Sequence, residues 1–286
     1  MPARSRSTAV LCALLLTLAA DPARAADGAM LATSGLQSIE GSAGGGLTTW
    51  ALIAGHAERG EHAYGAGVSR AVTDGFALTS ASAYLSWNNR LELSIGRQTL
   101  DLDALVESGA IDRTDVSMNL LGLKYRIGGD VIYGDYGQLS VGALYKHNED
   151  AALVRLIGAE RASGIDAYLA WSKLWLDGPG DRNWLLNFTL RATQGHQLGL
   201  SGFDSDYQVS AEGAVGIFLN PNWVVGAEYR SKPDRLPNAA EEDWADLYLA
   251  WFPNKRWAFT LGYLDLGSIG GVNDQHGVYA AVQYGH

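Results

Sequence analysis

The chain has 286 residues and a formal net charge of −10, with 18% charged residues, 47% hydrophobic residues, 35 glycines and one cysteine. The acidity leaves no basic footprint for a nucleic-acid backbone, the apolar content excludes a disordered chain, and a single cysteine excludes an internal disulfide or a thiolate metal cage. A mean hydropathy of −0.04 fits a soluble domain, but it equally fits a membrane barrel, whose strands alternate lipid-facing and lumen-facing residues.

The first element is a targeting segment. Arg4 and Arg6 precede an apolar run over 9–20, and Ala23-Arg24-Ala25 fits a small-x-small cleavage site. This predicts a signal peptide over 1–25 and one mature domain over 26–286. The run is too short to span a bilayer, and Cys12 falls within it, in the discarded part. Cleavage removes Arg4, Arg6, Arg24 and Asp21, so the mature chain is more acidic still. No later stretch is long and apolar enough for a transmembrane helix, which leaves the periplasm or the outer membrane as the destination.

Beyond the leader the periodicity is two rather than 3.6, the mark of strands with two different faces. A strand is expected within 28–40, and less regular ones over 47–55, 63–71, 76–87, 165–175 and 278–284. The regular ones set apolar against polar or small residues. Leu91, Leu93 and Ile95 oppose Glu92 and Ser94. Leu121, Leu123, Tyr125 and Ile127 oppose Lys124 and Arg126. Leu139, Val141, Ala143 and Tyr145 oppose Ser140 and Lys146. Trp184, Leu186, Phe188 and Leu190 oppose Asn187, Thr189 and Arg191. Tyr207, Val209 and Val215 oppose Gln208, Ser210 and Glu212. Trp223, Val225, Ala227 and Tyr229 oppose Glu228 and Arg230. Leu247, Leu249 and Trp251 oppose Asp246, and Trp257, Phe259, Leu261 and Tyr263 oppose Thr260 and Gly262.

The connections alternate in length. Asn88-Asn89, Asn220-Pro221-Asn222 and Pro253-Asn254-Lys255 read as tight turns, whereas 100–114, 147–164, 195–206, 231–242 and 265–276 are long. Short turns on one side, long loops on the other and aromatic residues at strand ends predict an all-β, antiparallel, up-and-down transmembrane barrel of 12 or 14 strands. A last strand finishing in the periplasm puts the short turns there, with 129–137 unusually long among them. A soluble periplasmic barrel with its apolar parity inward is the rival. The polar parity is rich in Gly, Ala and Ser rather than Lys and Glu, which favours the membrane.

With the polar parity inward, the lumen holds Glu92, Lys124, Arg126, Lys146, Asp166, Arg191, Glu212, Glu228, Arg230 and Asp246, balanced in sign. In lipid each would cost several kcal/mol near the midplane; inside, they pair or stay hydrated. The expectation is a narrow polar pore, part-occluded by loop 100–114, that these charges line and polarise. The rival is that the pairs only fill and rigidify the barrel. Elsewhere chemistry is thin. His56, Glu58, Glu61 and His62 surround a turn that reads as hydrated rather than as a metal site. Gly44-Gly45-Gly46 lacks the lysine and helix of a phosphate loop. No nucleophile elbow is present, and the sequon Asn187-Phe188-Thr189 falls within a strand.

Several stretches resemble a proteobacterial family of exported proteins, domain-of-unknown-function family 3034. They are Ser38-Ile39-Glu40-Gly41 leading to Gly44-Gly45-Gly46-Leu47, Arg97-Gln98, Tyr145-Lys146, Val154-Arg155, Ser163-Gly164-Ile165-Asp166, Arg191-Ala192-Thr193, Gly226 through Asp234 (GAEYRSKPD), Ala250 through Lys255 (AWFPNK), Tyr263 through Gly267 (YLDLG) and Asp274-Gln275. The resemblance covers nearly the whole mature chain and implies an exported single-domain β protein without an assigned activity. The family usually ends in Phe; here the end is Tyr284-Gly285-His286, with Tyr284 on the parity of Val278, Ala280 and Val282. The expected function is an outer-membrane barrel, in contact with lipid, that passes or binds small polar solutes, without catalytic residues, cofactor or nucleic-acid partner. The alternative is a structural or interaction protein working through loops 147–164 and 231–242.

Overall fold

The computed structural model describes residues 32, 35–107, 109, 112, 114–156, 158–234 and 241–286. The expected signal peptide lies outside the described residues. Period-two alternation becomes twelve long strands: β3 (His62–Thr73), β4 (Ala77–Trp87), β5 (Leu91–Asp101), β6 (Asp115–Gly129), β7 (Gln138–Asn148), β8 (Ser163–Gly178), β9 (Arg182–Gly195), β10 (Phe203–Asn220), β11 (Trp223–Arg230), β12 (Trp244–Trp251), β13 (Trp257–Asp265) and β14 (His276–Gly285). They follow two short strands, β1 (Leu36–Gln37) and β2 (Ala43–Gly44). Each long strand pairs antiparallel with the next, and β14 returns to β3, with Val278 opposite Val72 and Tyr284 opposite Ala66. The barrel is therefore closed, and no edge is left open to another chain. Of the two counts expected, twelve is the one formed.

Connections at 88–90, 130–137, 179–181, 221–222 and 252–256 share one rim; the other carries 102–114, 149–162, 196–202, 231–243 and 266–275, with 74–76 its one short link. Helices α1 (Asp103–Glu107) and α2 (Ala151–Leu156) sit on two long-rim loops. Asn88 and Asn89 take the left-handed backbone (φ 56° and 48°) that a tight hairpin turn demands and asparagine tolerates.

Parity decides what each face meets. Leu93, Ile95, Leu121, Leu123, Leu169, Phe188, Leu190, Leu247, Leu249 and Leu261 are exposed on the outside. An apolar belt this continuous is far larger than a water-soluble protein tolerates and matches a hydrocarbon-facing band. Aromatic residues edge it. Toward the short-turn rim Trp223 stacks on Trp251 (5.7 Å), Trp251 meets Phe259 (5.3 Å) and Tyr284 packs edge-on against Trp257 (5.0 Å). Tyr145, Tyr207, Tyr229 and Tyr263 lie toward the other rim. The inward parity is small and polar, and large rings lie flat where a glycine faces them across the ladder: Tyr168 opposite Gly142, Tyr248 opposite Gly226, Tyr279 opposite Gly262. A Cβ at any of these glycines would come within 2.4 Å of the facing ring.

Three expectations are corrected. The strand expected over 47–55 does not join the barrel, because Trp50-Ala51-Leu52-Ile53-Ala54 is continuously apolar and buried on all sides rather than alternating. Of the strand sought within 28–40, residues 28–31, 33 and 34 lie outside the described residues, and the described part holds β1, which pairs with β2 rather than with the barrel. The lumen is filled chiefly by residues 35–57, which enter and return at the short-turn rim, and Leu102 of loop 100–114 packs into the same buried cluster.

Candidate functional site in the barrel lumen

A buried segment of irregular backbone must find partners for its N–H and C=O groups, and residues 35–54 are buried throughout. The inward side chains supply them. At one end of the plug, Glu92 accepts from the amides of Ala43 (3.0 Å) and Ala54 (2.7 Å), while Lys124 donates to the carbonyls of Ala43 (2.8 Å) and Leu52 (3.0 Å). Ser140 and Gln138 donate to Ala51 O, and Ala51 N donates to Ser172 Oγ. Asn187 and Thr189 donate to Thr49 O, Thr49 N to Glu212 (2.7 Å) and Leu47 N to Glu228 (2.7 Å). Thr48 Oγ1 also donates to Glu228. Ser80 and Gln98 donate to Ile39 O, and Ser86 to Ala54 O.

At the centre sits Glu40, the plug's own carboxylate. It meets Lys146, Arg230 (2.8 Å) and Arg191 (3.4 Å). Arg191 also binds Asp166 (3.3 Å) and Glu212 (2.6 Å), Lys146 binds Asp166 (2.7 Å), Arg230 approaches Glu212 (3.6 Å) and Lys124 approaches Glu92 (3.6 Å). Lys124, Lys146, Arg191 and Arg230 thus stand against Glu40, Glu92, Asp166 and Glu212, a neutral cage with every member buried. Glu228 and Asp246 are left over, opposite each other on β11 and β12.

Of the ten charges expected in the lumen, nine are buried inside the barrel. Arg126 is half-buried at the short-turn rim, where it binds Gly129 O and Asp130 (3.6 Å). Sequence reasoning missed Glu40, whose signal was a lone acid in a Gly- and Ser-rich segment. It also missed the neutral donors on the inward parity and Lys173, which caps the carbonyls of Ile132 (3.0 Å) and Gly134 (2.7 Å). The triple glycine finds its reason here: a Cβ on Gly45 would stand 1.8 Å from Glu228 Oε1, and one on Gly46 2.5 Å from Tyr279 OH. The turn after the plug closes through Glu58 N to Glu61 Oε2 (2.9 Å). Burial, aided by Lys255, pushes the His56 pKa down to about 4. Among the described residues no three His, Cys, Asp or Glu groups converge as metal ligands.

The long-loop rim holds a second polar cluster. His196, buried at the start of the turn 196–202, lies 3.1 Å from Asp204 and 3.7 Å from Glu241. Burial disfavours its charged form, but the two carboxylates outweigh burial and raise its pKa. Lys232 donates to Gln197 Oε1 (3.0 Å), lies 3.9 Å from Glu241 and covers the Trp244 ring at 4.6 Å; burial lowers its pKa to about 8.

Comparison with solved structures identifies the architecture. A KdgM porin superposes with a TM-score of 0.51 at 11% identity, over 77% of this chain and 98% of that one. A KdgM porin in complex with disordered oligogalacturonate gives 0.49 at 10% identity over 77% and 98%, and a NanC porin 0.47 at 13% over 77% and 97%. The fold is the twelve-stranded up-and-down barrel of outer-membrane porins. No curated protein matches the sequence. A family profile described as Protein of unknown function (DUF3034) matches residues 33–283.

Proposed function

The chain belongs to the DUF3034 family, and on that premise we propose that it is an outer-membrane barrel, exported by a cleaved leader over 1–25, that binds and passes small solutes and is closed by residues 35–57. The observation that carries this reading is the cage around Glu40: four cations and three carboxylates of the barrel wall close on the plug and its one acid. Twelve strands enclose more space than side chains alone fill, between the packed eight-stranded barrels and the open porins, and here the plug takes up that space. Once the plug yields, Glu92, Lys124, Lys146, Asp166, Arg191, Glu212, Glu228, Arg230 and Asp246 line the path, with Arg126 at its short-turn mouth. The chemistry asked of them is solute binding and a local field; no catalytic residue is assigned.

Planar-bilayer conductance tests this. The purified barrel is expected to show little steady current, and a variant lacking residues 35–57 a large steady one. Cross-linking Thr49→Cys to Thr189→Cys, whose parent residues share a 2.7 Å hydrogen bond, is expected to hold the pore shut. A folded, plug-less barrel that never conducts sinks the channel reading.

A further inference from the structure

The charges of the lumen do not all cancel. The cage around Glu40 is neutral, and Glu228 and Asp246 stand outside it. They face each other directly across the β11–β12 ladder, a placement that brings their Cβ atoms to roughly 5 Å. Both are buried, Glu228 at 3% and Asp246 at 4% exposure. Glu228 is engaged with the plug: it accepts from Leu47 N (2.7 Å) and from Thr48 Oγ1. Asp246 is not, and neither of its oxygens has a hydrogen-bond partner among the described residues.

The elements packed around the pair supply no counter-charge. From β10 comes Glu212, itself an anion, bound to Arg191 and to Thr49 N. From β11 comes Arg230, whose guanidinium is committed to Glu40 (2.8 Å), Leu47 O (3.1 Å) and Glu212 (3.6 Å). Strands β12 and β14 add the hydroxyls of Tyr248 and Tyr279, both buried and without a partner among the described residues. On β13 the residue opposite Asp246 is Leu264. The plug brings Thr48 and the backbone of Gly45 and Gly46, packed against Glu228 and the Tyr279 hydroxyl. Among the described residues neither Glu228 nor Asp246 forms an ion pair. Two carboxylates that share a buried site without a cation do not both ionise; such a pair keeps one proton. That proton turns two facing acceptors into a donor and an acceptor, and it leaves a single charge for Leu47 N and Thr48 to meet.

We propose that Glu228 and Asp246 hold one proton between them and that this proton latches the plug arm 45–49 to the barrel wall. The proposal rests on the plugged-channel reading and names what loosens the plug, a rise in pH. When the arm lifts away, water reaches the pair and both carboxyls ionise, so opening releases one proton. Release of one proton makes opening easier by about tenfold per pH unit above the ordinary carboxylate range. The latch is thus firm in acid. In alkaline medium two charges face each other, and Glu228 gives up Leu47 and Thr48.

Infrared spectroscopy and amide exchange of the full barrel test this. At neutral pH a protonated-carboxyl C=O band is expected in the parent protein. It is expected to vanish in Asp246→Asn, whose side-chain amide donates to Glu228 with no shared proton. Exchange of the Leu47 amide, corrected for the intrinsic rate, is expected to quicken by up to about tenfold per pH unit in the parent, and Asp246→Asn to flatten that trend with the arm held. Glu228→Gln, which keeps the shape and weakens the acceptor, is expected to loosen the arm at every pH. His196→Gln removes a separate pH-dependent contact and is expected to leave the Leu47 trend in place. Heat-modifiable migration confirms that each variant is folded. A parent without the band, a band or a Leu47 trend that survives Asp246→Asn, or an arm no looser in Glu228→Gln overturns the proposal. Any of these in a barrel that conducts once its plug is removed overturns the latch alone. A working latch in a barrel that never conducts overturns the channel reading alone.

Discussion

Glu40 carries three cations on a plug that folds back on itself inside the lumen. A buried ion pair contributes little net stability compared with an apolar substitute, but removing one partner is costly, because the others remain buried and uncompensated. Glu40→Gln leaves Lys146, Arg191 and Arg230 facing two carboxylates, Asp166 and Glu212. The expected loss is about 3–5 kcal/mol, read as a lower midpoint in denaturant unfolding and as steady leak current in bilayers. The same logic gives the cage a second role, in which charges fix the register of the plug rather than adding stability. A backbone without long strand pairing needs such markers: Glu212 and Glu228 grip the amides of Thr49 and Leu47, and Glu92 ties Ala43 to Ala54. At Gly45 the limit is steric: Gly45→Ala puts a methyl group against the Glu228 carboxylate and is expected to loosen the 45–49 arm, measurable as faster amide exchange there with barrel strands unchanged. His196 adds a pH dependence. Its pKa is raised in the folded protein, so the contacts with Asp204 and Glu241 help hold the turn 196–202 at acidic pH, and that help is lost as pH rises through the raised value. Amide exchange in 196–202 is expected to quicken from acid to alkaline pH beyond the intrinsic rate, and His196→Gln to flatten the trend.

Among the strands, parity does most of the work. Each long strand presents one face to the lumen and the other outward, and a shift by one residue would exchange them. Leu261, midway along β13, is exposed on the outer face. Leu261→Arg is therefore expected to cost about 2–4 kcal/mol in a refolding titration into lipid vesicles, as a cation near the bilayer midplane does; the same change at Tyr263, nearer the rim, should cost less. The alternation that fixes this face was legible residue by residue, which is why the strand from Trp223 to Arg230 matches its expected bounds, most others differ by extension, and the one expected over 76–87 begins one residue later at Ala77. The misread strands fail for one reason. Residues 47–55 carry as many apolar groups as a strand, but these sit side by side rather than alternately, and a one-sided belt cannot use them. They pack inside, where both faces are covered. The sequon at Asn187 has a similar lesson: the asparagine points inward and donates to Thr49 O (3.1 Å).

For the whole molecule, closure and filling are separate problems. Closure follows from twelve alternating strands with short and long connections in turn, and the sequence determined it: the period, the loop rhythm, the aromatic strand ends and the inward parity of the charges are all local properties of the chain. It also told which titratable groups face the lumen, because parity assigns a side chain to a face without knowledge of its partners. What fills the lumen was decided only by the tertiary structure. Glu40 lies 106 residues from Lys146 and 190 from Arg230 along the chain, and no periodicity links them. Whether ten charges line an open pore or grip a strap depends on whether water or backbone occupies the space between them. That choice is made by hydrogen-bond satisfaction across the closed barrel, where buried amides of residues 35–57 find acceptors on the wall and four cations face four carboxylates.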